Sequence, residues 1–249
     1  NVIDSLKNIV PSFYAGQNTI SDASTFVRSP SLRGLPGDNV LVMLNGKRYN
    51  RSALVQVYGG SDSGLSLGSH GSDISAIPSI AISNLQILRE GATAQYGSDA
   101  IAGVMNFGLK EKTGLELTGR YGQYYAGDGD SYQVAADVGF SLFGRGFINV
   151  AGEYTNDGQT SRGVTRPSAY NFAVANPSLA NQLPNYPGPV QIWGSSPSET
   201  YKFIVNSAFD VTDTVQIYGK WSTGYKSGGA NSRSLNYGGF NPESVSMFE

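Results

Sequence analysis

From Leu115 onward the chain repeats one pattern, with an apolar residue at every second position. YQVAADVGFSL (132–142) sets Tyr132, Val134, Ala136, Val138, Phe140 and Leu142 on one face and Gln133, Ala135, Asp137, Gly139 and Ser141 on the other. Period-two alternation predicts a strand with one apolar and one polar face. Segments 115–126, 146–155, 199–211 and 214–225 repeat it. In 199–211, Tyr201, Phe203, Val205 and Phe209 oppose Lys202, Asn206 and Asp210; in 214–225, Val215, Ile217 and Trp221 oppose Gln216, Lys220 and Ser222. At 10 to 13 residues each, these segments match the roughly 9 to 11 that a tilted strand needs to cross a bilayer. Strands of soluble sandwiches are about half as long.

Connection lengths alternate as well. FGRG (143–146) and Thr212-Asp213 are tight, whereas AGDGD, the stretch 156–198 and the run from Lys226 are longer. A membrane barrel alternates short periplasmic turns with long outer loops in this way, so the first strand is expected to run outward. Tyr121, Tyr124, Tyr125, Tyr154, Trp221 and Tyr225 fall near predicted strand ends, where an interfacial aromatic belt belongs; ordinary strand aromatics are the other reading.

The first part of the chain has a mixed texture. Val2, Ile3, Leu6 and Ile9 recur at helical spacing and Pro11 stops the helix. LVMLNGKRY (41–49) predicts a buried strand with a tight Asn45-Gly46 turn, and 82–90 and 104–110 predict two more. The longest Gly/Ser-rich loop between them is 52–72. Gly34, Gly46, Gly91, Gly97 and Gly103 are expected where the backbone turns or passes close to another segment.

Composition narrows the function. Charged residues are 14% of 249, while 32 are Gly, 15 Tyr and 11 Phe, so the chain is polar without being charged. A net charge of -2 with no Lys/Arg run gives nucleic acid no basic track. Cysteine is absent, which removes disulfides and thiolate metal sites. No apolar run approaches the length of a membrane-spanning helix. The sequence starts at Asn1 without Met or an apolar leader, so any export signal is expected to have been removed or to lie outside this sequence.

VPSF (10–13), SLRGLPGDNVLVMLNGKRY (31–49) and DISAIPSIAISNLQILREGATAQYGSDAIAGVMNFGLK (73–110) stand in an order that resembles the plug of TonB-dependent outer-membrane receptors. The resemblance implies an α+β plug globule over 1–112, lodged in a large barrel of about 22 strands, and antiparallel transmembrane strands over 113–249. Within the latter, 113–198 resembles early barrel strands and YGKWSTGYKSGGANSRSL with FNPESVSMFE (240–249) resembles late ones, so 199–249 is expected to follow a missing middle. The chain is then an incomplete fragment or shortened form. The resemblance further implies active uptake across the bacterial outer membrane of a scarce nutrient such as a ferric siderophore, cobalamin or an oligosaccharide. Its partners would be that small ligand, outer-membrane lipid and the inner-membrane TonB energising complex, reached through a stretch upstream of Asn1. A soluble or surface-exposed glycan-binding or adhesive β-protein is the rival; its strands would be shorter and its faces less distinct.

Five strands, six with 243–249, cannot enclose such a plug. A globule of about 110 residues has a radius of gyration near ~13 Å, and a barrel of about eight strands is already filled by its own side chains.

Candidate sites are few. Arg28, Arg33, Arg89 and Glu90 are charges in a mostly uncharged globule, and the resemblance implies pairing with each other or the barrel wall, either to rearrange on gating or as static locks. The 52–72 loop, with Arg51, Tyr58 and His70, is the candidate plug apex, where a cation and an aromatic could meet an anionic chelate or a sugar. As the only histidine, His70 cannot form a His-rich metal cluster, and no cofactor is expected. GLSLG (64–68) places Ser66 in a Gly-x-Ser-x-Gly pattern, but in a loop instead of a strand-to-helix elbow, so no enzyme is expected. Asp128 and Asp130 lack EF-hand spacing and read as a polar hairpin tip.

Overall fold

The structure is a computed structural model that describes residues 2–16, 26–55, 68–89, 93–183, 186–188, 194–226 and 243–248. Helix α1 (Val2–Ile9) opens the chain and turns Ile3 and Leu6 into the core. The two-residue strands β1 (Phe13–Tyr14) and β2 (Ser31–Leu32) pair beside it. A four-stranded mixed sheet follows, built from β3 (Val40–Leu44), β4 (Lys47–Arg48), β5 (Ile82–Leu88) and β6 (Gly103–Leu109) in the order β4-β3-β6-β5. Short helix α2 (Thr93–Tyr96) precedes β6.

The two central strands β3 and β6 run parallel. Covered on both sides, they read as near-continuous apolar runs, VLVML and GVMNFGL. Val42, Leu44, Met105 and Phe107 are almost wholly buried there with Leu32, and each such side chain contributes about 1.5–3 kcal/mol relative to exposure. Segment 41–49 carries the tight turn expected at Asn45-Gly46: Asn45 (φ 51) and Gly46 (φ 76) reverse the chain from β3 into β4. Both central residues at positive φ make the turn whose twist suits a hairpin. Gly34, Gly97 and Gly103 also have positive φ; Gly91 lies outside the described residues.

The alternating segments form one antiparallel sheet: β7 (Gly114–Gly122), β8 (Ser131–Leu142), β9 (Gly146–Asp157), β10 (Ser198–Thr212), β11 (Val215–Lys226) and β12 (Glu243–Phe248), each bonded to its neighbour in sequence. β7 stops four residues short of the expected 126, because a turn from Tyr124 to Gly127 (N–H to O 2.9 Å) folds the tip back. Between β9 and β10 lie α3 (Pro167–Ala175) and a 3-10 turn (Pro177–Gln182) that the periodicity did not indicate. Twelve consecutive pairs join β9 to β10 without a register shift, so the ladder is regular across the stretch where early and late strands were expected to meet.

The orientation of this wall is the main finding of the fold. Its outer apolar side chains face away from the protein: Leu117 is 70% exposed, Leu115 67%, Val134 62% and Ile217 62%. Its inner polar ones are covered by the plug, with Asp137, Asn149, Glu153, Asn206 and Lys220 at 7% or less. A sheet folded for water does the reverse. Among the described residues of the wall, Ala135, Ala151 and Ile204 enter the apolar core.

Aromatic rings mark the end of the wall with the long connections. Tyr121 stacks on Tyr132 (5.1 Å) and Tyr154 on Tyr201 (4.9 Å), and by register Tyr225 stands opposite Tyr201. Trp221, expected near a strand end, lies lower, opposite Val205 and edge-on to Phe203 at 5.4 Å. Tyr124 and Tyr125 are exposed in the hairpin tip.

Candidate functional site

The inner face of the wall forms a grid because facing residues on successive strands share a level. Ala135, Glu153 and Lys202 form one row, Asp137, Ala151 and Ile204 the next, and Gly139, Asn149, Asn206 and Lys220 a third. Against the first row lies the plug's 3-10 turn Ser79–Ala81. Glu153 Oε2 accepts both the Ser79 N–H (2.7 Å) and the Ser79 hydroxyl (2.6 Å), and Oε1 accepts from Lys202 Nζ at 2.6 Å. Gln133 Nε2 donates to the same Ser79 hydroxyl at 3.4 Å. The carboxylate side chain is 2% exposed and the lysine 12%, so Glu153 is a paired, fully bonded buried charge, the form in which an interior tolerates one.

A second seam joins the wall to the linker and the β3-β4 hairpin. Asn149 Nδ2 donates to Lys112 O (3.0 Å) and Asn206 Nδ2 to Lys110 O (3.2 Å). Asn45 Nδ2 donates to Asn206 Oδ1 (3.2 Å) while Asn45 Oδ1 accepts the Leu109 N–H (2.7 Å). Lys47 Nζ sits 5.2 Å over the Tyr218 ring, and Lys110 pairs with Glu116 at 2.6 Å. Gly139 is required here by contact: a Cβ would meet Lys112 O at 1.8 Å. A cleft of about 550 Å³ between plug and wall is lined by this Glu153 group together with Arg28, Arg120, Tyr124 and Gln133.

The predicted site residues are placed as follows. Arg51 and His70 come together at the stem of the 52–72 loop, Arg51 pairing with Asp99 at 3.2 Å and His70 Nε2 bonding Ser52 O. Tyr58 and Ser66 lie outside the described residues, as does Glu90. Arg28 borders the cleft, its backbone N–H donating to Asp73 Oδ1 (3.0 Å). Arg33, at φ 55, donates from Nη2 to Ile101 O (2.9 Å) within the plug, and Arg89 is exposed just beyond β5. The three described locking charges, Arg28, Arg33 and Arg89, therefore lie in separate parts of the plug.

Arg48 joins Arg51 on Asp99, which sequence reasoning passed over. The Arg48 hydrogen bond, with help from Arg51, holds the Asp99 carboxyl below the usual carboxylate range. Burial pushes the neighbouring Tyr49 hydroxyl up, and Asp73 adds to it. Glu153 was missed too. Its signal was a charge on the small-residue face of a strand, in a chain with few charges.

A mixed globule whose neighbouring sheet turns its polar face inward and its apolar face outward defines a plugged membrane barrel, of which part is present. Residues 1–104 match the family model described as TonB-dependent Receptor Plug Domain. Those residues are similar to that plug domain, and the antiparallel sheet that follows them has the fold of part of a plugged β-barrel.

Solved structures share the fold at low identity. A point mutant of the ferric enterobactin receptor PfeA from Pseudomonas aeruginosa aligns with all of this chain (TM-score 0.67, 16% identity), which spans 35% of that receptor. A second PfeA mutant, in complex with enterobactin, aligns with 91% (TM-score 0.61, 17% identity, 31% of that chain). The siderophore receptor PirA from Acinetobacter baumannii aligns with 89% (TM-score 0.56, 18% identity, 28% of that chain). The chain thus spans about a third of the length of these receptors.

Proposed function

We propose that this chain is the plug and part of the wall of an outer-membrane receptor that takes up a ferric siderophore by TonB-dependent active transport. The observation that carries this is the inverted wall: exposed Leu117, Val134 and Ile217 outside, buried Glu153 bonded to plug Ser79 inside. The enterobactin-bound and siderophore-receptor neighbours favour a ferric siderophore over cobalamin or an oligosaccharide. On this reading the boundary between plug and wall falls at 112/113, the lipid partner lies against the Leu117 face, and the energising complex engages a segment upstream of Asn1. No step of it is catalytic.

The loop stem carrying Arg51 and His70 is the ligand-facing apex in this reading. It is at the start of β6, seven residues and about 20 Å from the end that enters the wall. The Glu153, Lys202 and Ser79 group is the latch that holds the plug, a role expected from the family resemblance for Arg28, Arg33, Arg89 and Glu90. Phase partition of the purified chain tests the reading: recovery in the detergent-rich phase is expected, and a monodisperse species in the aqueous phase would exclude it.

A further inference from the structure

The start of the plug sheet carries a charge arrangement that the latch does not use. Arg48 ends β4 and Arg51 follows three residues later, and both guanidinium groups converge on one oxygen, Asp99 Oδ2. Each guanidinium offers five N–H donors in a fork matched to two oxygens of an oxyanion. One carboxylate oxygen leaves most of those donors over. The arginine side chains are 56% and 42% exposed, and they border an open cleft of about 260 Å³ with Asn50, Gly71 and Ser72. Asp38 also borders the cleft, with its Oδ1 accepting from Asn39 Nδ2 at 3.3 Å.

Asp99 belongs to a three-residue 3-10 turn (Ser98–Ala100) entered through Gly97 at φ 88. Exposed ion pairs of this kind contribute up to about 1 kcal/mol, so exchanging the Asp99 carboxylate for another oxyanion costs little.

We propose that Arg48 and Arg51 form a binding site for a small oxyanion, and that Asp99 is its internal occupant, displaced when the ligand arrives. The ligand class is a compound presenting an ionised carboxylate or phosphate-like group. The link to siderophore uptake rests on the function proposed above; the site itself consists of plug residues alone. Displacement also has a structural outlet. The Asp99 turn leads directly into β6, through Ala102, whose N–H is held by Asn39 O at 2.8 Å. Occupancy of the cleft therefore loosens the segment at one end of the strand whose other end is tied into the wall.

The test is calorimetric titration of the full chain in detergent micelles with malonate and inorganic phosphate, and with maltose as the neutral arm. Asp99→Asn removes the competitor and is expected to tighten anion binding by up to about fivefold. Arg48→Gln combined with Arg51→Gln is expected to weaken it by at least about tenfold, as loss of charge-assisted hydrogen bonds requires. Malonate and phosphate separate the carboxylate and phosphate sources of the same chemistry. Weakened or unchanged anion binding in the Asp99→Asn chain overturns the proposal, as does full binding in the double variant or binding of maltose alone. Should the double variant misfold, the Asp99→Asn sign still decides. A chain that binds malonate but stays in the aqueous phase would refute the receptor reading and leave this site standing.

Discussion

Asn45 combines two demands in one residue. It takes positive φ at the hairpin turn, which Asn tolerates better than most, and its amide bridges the wall at Asn206 and the backbone at Leu109. Asn45→Gly keeps the turn and loses both bridges, so unfolding of the chain in micelles, followed by circular dichroism, is expected to show a loss of about 1–2 kcal/mol. Asn45→Asp keeps the acceptor toward Leu109 and loses the donor toward Asn206, and should lie between. A Gly variant as stable as the parent would reduce Asn45 to a turn former. Glu153 makes a harsher case. Glu153→Ala leaves the Lys202 ammonium buried and the Ser79 N–H without its acceptor, a loss of about 3–5 kcal/mol. Replacing both partners, Glu153→Met with Lys202→Leu, should recover the part that comes from the stranded ammonium and leave the about 1–3 kcal/mol of the unpaired Ser79 N–H. If the double variant is as unstable as the single, the seam depends on more than this ion pair.

At the level of elements, the outer connections are cross-tied. Asp128 in the β7-β8 tip accepts from Arg162 at 2.5 and 3.0 Å and from the Ser161 N–H at 3.1 Å, and Gly158 N–H bonds Asp130 O at 2.6 Å. The Arg162 hydrogen bonds hold the Asp128 carboxyl below its ordinary range. A depressed carboxyl favours the closed form above its unperturbed value, and that contribution disappears as pH falls through the depressed one. Hydrogen exchange at the Ser161 amide should accordingly rise at acidic pH relative to a neutral-pH control corrected for intrinsic rate. In Arg162→Gln that additional rise should shrink. Equal acid sensitivity in both chains would detach it from this pair. The elements themselves were legible in the sequence to different degrees. Strands β8 to β11 were readable to within two residues because period two persists over ten or more positions. Helix α3, PSAYNFAVA, was not, because its apolar residues form no single stripe and several are exposed. The candidate site was readable only in half: alternation told which face of the wall is inner, but partners such as Ser79 for Glu153 and Arg48 for Asp99 are 74 and 51 positions apart. Local pattern carries no information about such pairs.

At the level of the whole molecule, the inverted wall and the plug make incompatible demands on a sheet of six strands. The outer face needs hydrocarbon, so an Arg at Val134 should cost about 2–4 kcal/mol if that position lies at the bilayer midplane and close to nothing if the face is wet. Yet a sheet in hydrocarbon must close or be covered, since each unpaired backbone group there costs several kcal/mol. In the described residues β7 and β12 each have one neighbour, and some ten unpaired groups along these edges would cost on the order of tens of kcal/mol. A plug about 30 Å across needs the circumference of a much larger barrel, and the receptors that share this fold are about three times as long. These demands are met when further strands continue the wall, and unmet when the 249 residues stand alone. The chain by itself is therefore expected to be transport-incompetent: liposomes carrying it should accumulate no more ferric chelate under an imposed energy source than empty liposomes do. Uptake above that background would mean that six strands and a plug suffice, and the requirement for edge closure would have to be abandoned for this protein.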